Sequence, residues 1–301
     1  MLKIKRNSIL IPTTILRKNN MILMDLNNIV FSVVGIQLTK KAPIDIKFAN
    51  FVRFMTLNCI RSWKSKFPEY GELVLCDDCR HDSWRDKEFE YYKAARKAKR
   101  KKSKVDWNTI FKITNDVKNQ IKQNLPYRYI NVEGSEADDI IAVLALQEHD
   151  NKRDVLIISG DKDFKQTHSK YVKQYAPVKK DWVVCDDPLE YLAEHILTGD
   201  VADGVPNFLS DDDTFVNKEK RQSPIREKVI QDHIGGNNLT DDMKKKYDRN
   251  KKLIDFDCIP QNIIDAIMIE SKKKPLSNKI NLRKYLERND LQQLLKNIKD
   301  F

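Results

Sequence analysis

Between residues 133 and 139 the chain reads Glu133-Gly134-Ser135-Glu136-Ala137-Asp138-Asp139, four acids in seven positions, and then enters Ile140-Ile141-Ala142-Val143-Leu144-Ala145-Leu146. A strand-like run, Tyr127 to Val132, precedes it, so the segment reads as a strand end, a turn at Gly134 and a helix start. Ser135 is the expected N-cap, with Asp138 at the third helical position in a capping box. Capping accounts for one acid. A helix apolar on most sides is predicted to be buried, which holds the carboxylates at the edge of the core. Crowded there they repel one another and carry a desolvation cost, unless a divalent cation lies among them. A metal site is therefore favoured over a capping cluster.

The same pattern recurs along the chain. Met21-Ile22-Leu23-Met24-Asp25, Glu72-Leu73-Val74-Leu75-Cys76-Asp77-Asp78 and Asp154-Val155-Leu156-Ile157-Ile158-Ser159-Gly160-Asp161-Lys162-Asp163 are apolar strand runs that end in acids. Residues at helical spacing lie between them, over Phe48 to Phe67 and Asp106 to Leu125. Tyr171 to Ala176 and Trp182 to Cys185 read as a hairpin, and Pro188 to Leu197 as a short helix ending at Gly199. Alternating strands and helices predict an α/β fold with a largely parallel sheet and helices on both faces. Sites in such sheets gather beyond the carboxyl ends of the strands. Any one of these acids is an ordinary turn residue. All of them on one edge need cations. With no histidine ligand motif, hard Mg²⁺ or Mn²⁺ is expected, as two ions that activate a water and stabilise the leaving oxygen of a phosphodiester.

The net charge of +11 over 301 residues coexists with 44 acids, so the two signs are expected to be segregated. That balance suits a polyanion-gripping enzyme with an acidic centre. The basic segment follows Asp78: Trp84-Arg85, Phe89, Tyr91, Tyr92, Lys93, Arg96, Lys97, Lys99, Arg100, Lys101, Lys102 and Lys104, with no acid between Lys93 and Lys104. Bases mixed with aromatics suit backbone phosphates and stacked bases. The second half of the run fits equally a solvated face. Five scattered cysteines, with Cys76-x-x-Cys79 as the one close pair, indicate a reduced, intracellular protein. No segment reaches membrane-spanning length.

Taken together, Met24-Asp25-Leu26, Leu75-Cys76-Asp77-Asp78, Trp84-Arg85 through Tyr92-Lys93, Glu136-Ala137-Asp138-Asp139, Ser159-Gly160-Asp161-Lys162-Asp163-Phe164 and Gly199-Asp200-Val201-Ala202-Asp203-Gly204-Val205 resemble the flap endonuclease / 5′-nuclease family, in its phage-type ribonuclease H branch. The likeness runs over most of the chain. It implies a PIN-like α/β nuclease domain with a mostly parallel sheet over residues 21–187, a basic helical arch over about 84–106, and a smaller helical DNA-binding domain over 188–301, after an extension over 1–20. By position Asp25, Asp78, Glu136, Asp138 and Asp161 resemble one metal group, and Asp163, Asp200 and Asp203 the second, with Asp139 between. Asp77 stands beside Asp78, and the spacing to Trp84 and Lys93 favours Asp78. Lys93 and Arg96 resemble the arch residues that stabilise the scissile phosphate, Arg85 a further phosphate contact, and Tyr92 a base-stacking ring. Lys97, Lys99, Arg100, Lys101 and Lys102 complete the expected nucleic-acid contacts.

The activity so implied is 5′-to-3′ exonuclease and flap endonuclease cleavage with ribonuclease H action, removing RNA primers and adjacent DNA from lagging-strand fragments. Expected are two Mg²⁺ ions, with Mn²⁺ as a substitute, and branched or nicked duplex DNA and RNA–DNA hybrid as substrates. A sliding clamp and a single-strand-binding protein are candidate partners. The protein is expected to act as a monomer in the cytoplasm, the host's if phage-encoded. The family's glycine-rich DNA-binding turn is poorly matched, since Phe208 to Asp213 intervenes where it would stand. A phosphatase using Asp161 and Asp163 leaves the other acids unexplained. A PIN-type ribonuclease should lack the arch and Asp200/Asp203, and an idle nucleic-acid-binding module need not keep every acid.

Overall fold

The computed structural model describes residues 20–301. The expected N-terminal extension, Asn20 aside, lies outside the described residues. Six strands form one sheet: β1 (Met21–Asp25), β2 (Glu72–Cys76), β3 (Arg128–Ile130), β4 (Val155–Ile158), β5 (Val172–Ala176) and β6 (Asp181–Val183). Their order is β3-β2-β1-β4-β5-β6, with β6 alone antiparallel to its neighbour. Asp25 pairs in register with Cys76, and Met24 with Ile158, so the central strands end almost flush. Five strands therefore deliver their following residues to one edge, and β1 sits where the connections divide to either side.

Strand periodicity sorts the core into two faces. Ile22, Met24, Leu73, Leu75, Leu156 and Ile158 join one cluster, whereas Met21, Leu23, Val74, Cys76, Val155 and Ile157 join the other. The first face is covered by α1 (Leu26–Thr39), α2 (Ile46–Lys66) and, beyond the short basic helices α3 (Trp84–Glu88) and α4 (Ala94–Lys102), by α5 (Trp107–Asn124). The second is covered by α6 (Ala137–Asp150), buried on nearly every side as its sequence required. Each long helix begins at a side-chain cap, Asp25 for α1, Asp45 for α2 and Asp106 for α5.

The remaining helices are α7 (Pro188–Thr198), α8 (Glu227–His233), α9 (Asp241–Ile254), α10 (Gln261–Ser271), α11 (Lys279–Arg288) and α12 (Gln292–Lys296). They do not all stand apart from the sheet. Ile263 and Ile267 of α10 complete the core under α6, and Leu282, Tyr285 and Leu286 of α11 complete the opposite one. A smaller cluster of Ile196, Leu197, Phe208 and Tyr247 ties α7 to α9. Asp211, Asp212 and Asp213 form a surface loop held by Lys220 and Arg249. The five cysteines are free thiols, with Cys76 in the strand core. Among the described residues no helix is long and apolar enough to cross a membrane.

Candidate active site

The helix start that dominates the sequence begins one residue later than its pattern predicted. Gly134 turns the chain at φ +78°, and the Ser135 hydroxyl donates back to the Val132 carbonyl at 2.9 Å. Glu136 is the N-cap, and its N–H donates to Asp139 Oδ2 at 2.9 Å. Asp138 thus falls at the second helical position and Asp139 at the third.

That shift corrects two expected roles. Asp139 is wholly buried, with Trp84 Nε1 donating to one oxygen at 3.1 Å and Arg85 Nη1 to the other at 2.7 Å. Wholly buried and held in an ion pair with Arg85, Asp139 is a structural anchor rather than the expected metal ligand between the two groups. Arg85, 3% exposed, also donates from Nε to the Leu253 carbonyl at 2.7 Å. It is a buried strut, not a phosphate contact.

The acids expected in the first metal group come from four strand ends. Asp25 accepts from the Asn28 N–H at 2.8 Å and from the Ser159 hydroxyl at 3.1 Å. Asp78 accepts from the Ala137 N–H at 2.8 Å and from the Asn27 amide. Its neighbour Asp77 turns instead to Lys118 Nζ, 2.5 Å away, and the Tyr129 hydroxyl. Asp161 caps the following turn through the Asp163 N–H at 3.0 Å. Burial, then the charges of Asp78 and Asp161, pushes Asp25 up to about 7 against its Asn28 hydrogen bond. Burial and the charges of Asp25, Asp161 and Glu136 raise Asp138 well above the carboxylate range. Burial also raises Asp78 and Asp161. Glu136 goes the other way: Lys93 and Arg85 outweigh its burial and hold it low.

The second group is built by the turn after α7. Gly199 (φ +69°) has no room for a Cβ, which would lie 2.4 Å from the Val205 carbonyl oxygen, and Asp200 bridges to Val205. At Gly204 (φ +75°) the arch passes so close that a Cβ would meet the Tyr91 carbonyl oxygen at 3.0 Å. The Lys93 N–H donates to the Asp203 carbonyl at 2.7 Å, with Lys93 itself at φ +54°. Its ammonium reaches Glu136 at 2.5 Å and Asp203 at 3.6 Å, and Arg96 reaches Asp203 at 2.8 Å. Asp163 is pushed up to about 7 by burial and by Asp161. Asp200 is lowered because His195 and Lys162 outweigh its burial.

Tyr92 is the third correction. It is 4% exposed, packed among Phe89, Val205, Leu253 and Ile254, so no base can stack on it. Its hydroxyl stands 2.8 Å from Glu136 and 2.9 Å from Asp203, so its one proton can be donated to either carboxylate. One histidine that belongs to no ligand motif stands beside the second group. His195 is buried beside Asp163 and Asp200, and these three offer ligand atoms within 4.8 Å of one another. Its signal was its place in the last turn of the helix that ends at Gly199.

Helix α4 buries none of its residues. Lys97, Lys99, Lys101 and Lys102 face solvent, while Arg100 lies 5.5 Å over the Trp107 and Phe111 rings. A cleft of ≈ 820 Å³ is lined by Asp78 and Glu136 together with Lys93, Arg96, Lys97 and Arg100. Acids and bases thus share one opening.

The donor set fits hard divalent cations. It is carboxylate-rich, burial and mutual repulsion raise five of its acids, Asp25, Asp78, Asp138, Asp161 and Asp163, and the buried Asp163 Oδ1 has no hydrogen-bond partner among the described residues. A raised carboxyl means that the fold binds protons the unfolded chain has released. Stability without metal is therefore lost as pH rises from the ordinary carboxylate value of 3.8 through about 7, on account of Asp25 and Asp163. Cation binding needs the ionised forms. The rise in melting temperature on replacing EDTA by Mg²⁺ is expected to grow from about pH 5 to about pH 8. Scanning fluorimetry in matched buffers checks it, and an increment independent of pH would refute it.

Residues 20–192 match the family described as 5′-3′ exonuclease, N-terminal resolvase-like domain, and residues 189–301 match the one described as T4 RNase H, C terminal. Ribonuclease H of Enterobacteria phage T4 is 31% identical over 298 residues, 94% of this chain and 96% of that protein. A DNA polymerase I of Rhizobium leguminosarum is 38% identical over 93 residues, 28% of this chain and 9% of its own. The fold is that of the T5 5′-exonuclease with bound zinc ions, at TM-score 0.59 and 17% identity, covering 84% of this chain and 98% of that one. The bacteriophage T5 flap endonuclease in complex with DNA and metal ions aligns at TM-score 0.57 and 16% identity, over 90% and 100% of the two chains. A family match through the whole sheet and a full-length relative agree: the chain belongs to the 5′-to-3′ exonuclease family.

Proposed function

We propose that this 5′-nuclease removes RNA primers and adjacent DNA from the 5′ ends of lagging-strand fragments, acting on flaps, nicks and RNA–DNA hybrids in the cytoplasm of an infected cell. The observation that carries this reading is the junction of two opposite charge sets: carboxylates from four strand ends, and a solvent-facing basic helix whose Lys93 and Arg96 reach into them. Asp25, Asp78, Glu136, Asp138 and Asp161 would hold one Mg²⁺, and Asp163, Asp200 and Asp203 a second. Such ions supply Lewis acidity toward phosphate and lower the pKa of water. Water adds in line to the phosphorus and the bond to the 3′ oxygen breaks, leaving a 5′-phosphate on the downstream strand.

The chain's own contribution is charge and exclusion. Lys93 stays protonated because Asp203 and Glu136 outweigh its burial. With Arg96 it sets positive charge where the phosphate gains negative charge. Lys93→Ala is expected to lower single-turnover rate roughly 10²-fold while affinity for nicked duplex changes little. Replacing Lys99, Lys101 and Lys102 by Gln should do the reverse, weakening binding and reducing the slope of log K against log salt by about 0.9 for each phosphate no longer neutralised. Anisotropy titrations at several salt concentrations separate the two.

Cleavage of a 5′-labelled flap, a nicked duplex and an RNA–DNA hybrid, with Mg²⁺ and with EDTA, tests the proposal. Mg²⁺-dependent release of short 5′ products is expected. Tight binding with no cleavage under any divalent ion would overturn it.

A further inference from the structure

His195 lies in the last turn of α7, 5% exposed, with its ring between Asp163, from the turn after β4, and Asp200, from the turn after α7. Nε2 is 3.4 Å from Asp200 Oδ2, and Nδ1 is 3.7 Å from Asp163 Oδ1. Neither ring nitrogen makes a hydrogen bond to any described residue, and neither does Asp163 Oδ1. A buried polar group left so costs about 1–3 kcal/mol. Ion-pair distances without hydrogen-bond geometry, with ligand atoms of all three side chains within 4.8 Å of one another, fit ligands around a cation better than a structural pair. Resting on the reading of the acids as a metal centre, we propose that His195 is a nitrogen ligand of the second centre, beside Asp163 and Asp200. Its divalent cation would then be drawn from a softer class than Mg²⁺ alone.

The two centres then differ in kind. The first offers oxygen from Asp25, Asp78, Glu136, Asp138 and Asp161, the donor type Mg²⁺ prefers. Imidazole nitrogen adds little for Mg²⁺ but binds Mn²⁺, Co²⁺ and Zn²⁺ progressively better than oxygen does. An aromatic neighbour supports the assignment. The Tyr191 ring lies 5.5 Å from that of His195, and its hydroxyl also lacks a described partner, so the imidazole is walled on one side and open toward the acids.

The test uses the full chain with metal alone. Co²⁺ absorption spectra and calorimetric titrations with Mn²⁺, Co²⁺ and Mg²⁺ are compared for wild type, His195→Gln and Asp138→Asn. In His195→Gln one site is expected to lose at least ~10-fold in Co²⁺ and Mn²⁺ affinity with little change for Mg²⁺, and its Co²⁺ spectrum should weaken. Asp138→Asn should weaken the other site. Because His195 is buried, ¹⁵N-histidine-labelled wild type supplies a readout without substitution. Zn²⁺ should shift the ring nitrogens of a buried histidine among the five. Unchanged Co²⁺ affinity and spectrum in His195→Gln, or no ring-nitrogen shift, would overturn the inference while leaving the acid centre intact. Wild type that binds no divalent ion at all would remove the metal centre itself.

Discussion

Asp138→Asn protein is expected to bind nicked duplex as tightly as wild type or more so, and to cleave it at least ~10³-fold more slowly, a loss of several kcal/mol at the transition state. The amide keeps the size of the side chain and removes a charge. Burial and the charges of Asp25, Asp161 and Glu136 all act against that carboxylate, so its neutralisation relieves the metal-free cluster. Its melting temperature in EDTA should therefore rise as activity falls. Asp163→Asn is expected to behave alike, for its carboxyl is opposed by burial and by Asp161. Single-turnover cleavage with anisotropy on the same preparations decides it. Equal loss of binding and cleavage would show that these acids shape the DNA surface.

The largest stability effect is expected away from solvent and from substrate. Asp139→Leu leaves the Arg85 guanidinium buried with Glu136, 3.5 Å away, the Leu253 carbonyl and the Trp84 ring as partners. Stranding a buried charge costs about 3–5 kcal/mol, and near 300 residues that lowers Tm by roughly 5–8 °C. Arg85→Met should destabilise comparably, by stranding Asp139. The double variant Arg85→Met with Asp139→Leu should recover most of the loss, since a buried pair contributes little net stability against apolar replacements. Denaturant midpoints of the four proteins form the cycle. If Arg85→Met instead lowered DNA affinity with no loss of stability, Arg85 would be a phosphate contact after all.

Much of this architecture was legible because parallel strands leave a plain trace. An apolar run ending in acid, as at Asp25, Asp78 and Asp161, fixes both the strand and the edge to which its acid goes. The buried helix after Glu136 was legible for the same reason: its apolar residues leave few polar sides. What sequence could not convey was direction. Asp138 and Asp139 are adjacent acids, and one residue of error in the N-cap changes which of them meets Arg85. Asp77 and Asp78 differ in the same way, one facing Lys118 and the other α6. Arg85 and Tyr92 lie in a basic, aromatic stretch whose composition describes a surface, yet both are buried by α9 and the turn after α7, contacts from more than a hundred residues away. His195 carried no motif because Asp163, one of the two acids beside it, reaches it only through the fold.

The sharing of cores between the sheet and the helices beyond residue 250 bears on how the chain is made. All six strands have been synthesised by Val183. Yet the face under α6 stays open until Ile263 and Ile267 emerge, and the opposite face until Leu282 and Leu286 do. A ribosome-bound nascent chain therefore carries a nearly complete sheet with two uncovered apolar patches through the translation of about a hundred further codons. Such patches are what aggregation begins from and what a chaperone holds. Slow translation across residues 184–282 would lengthen that exposure, whereas folding of the active edge would wait on helices that carry none of its acids.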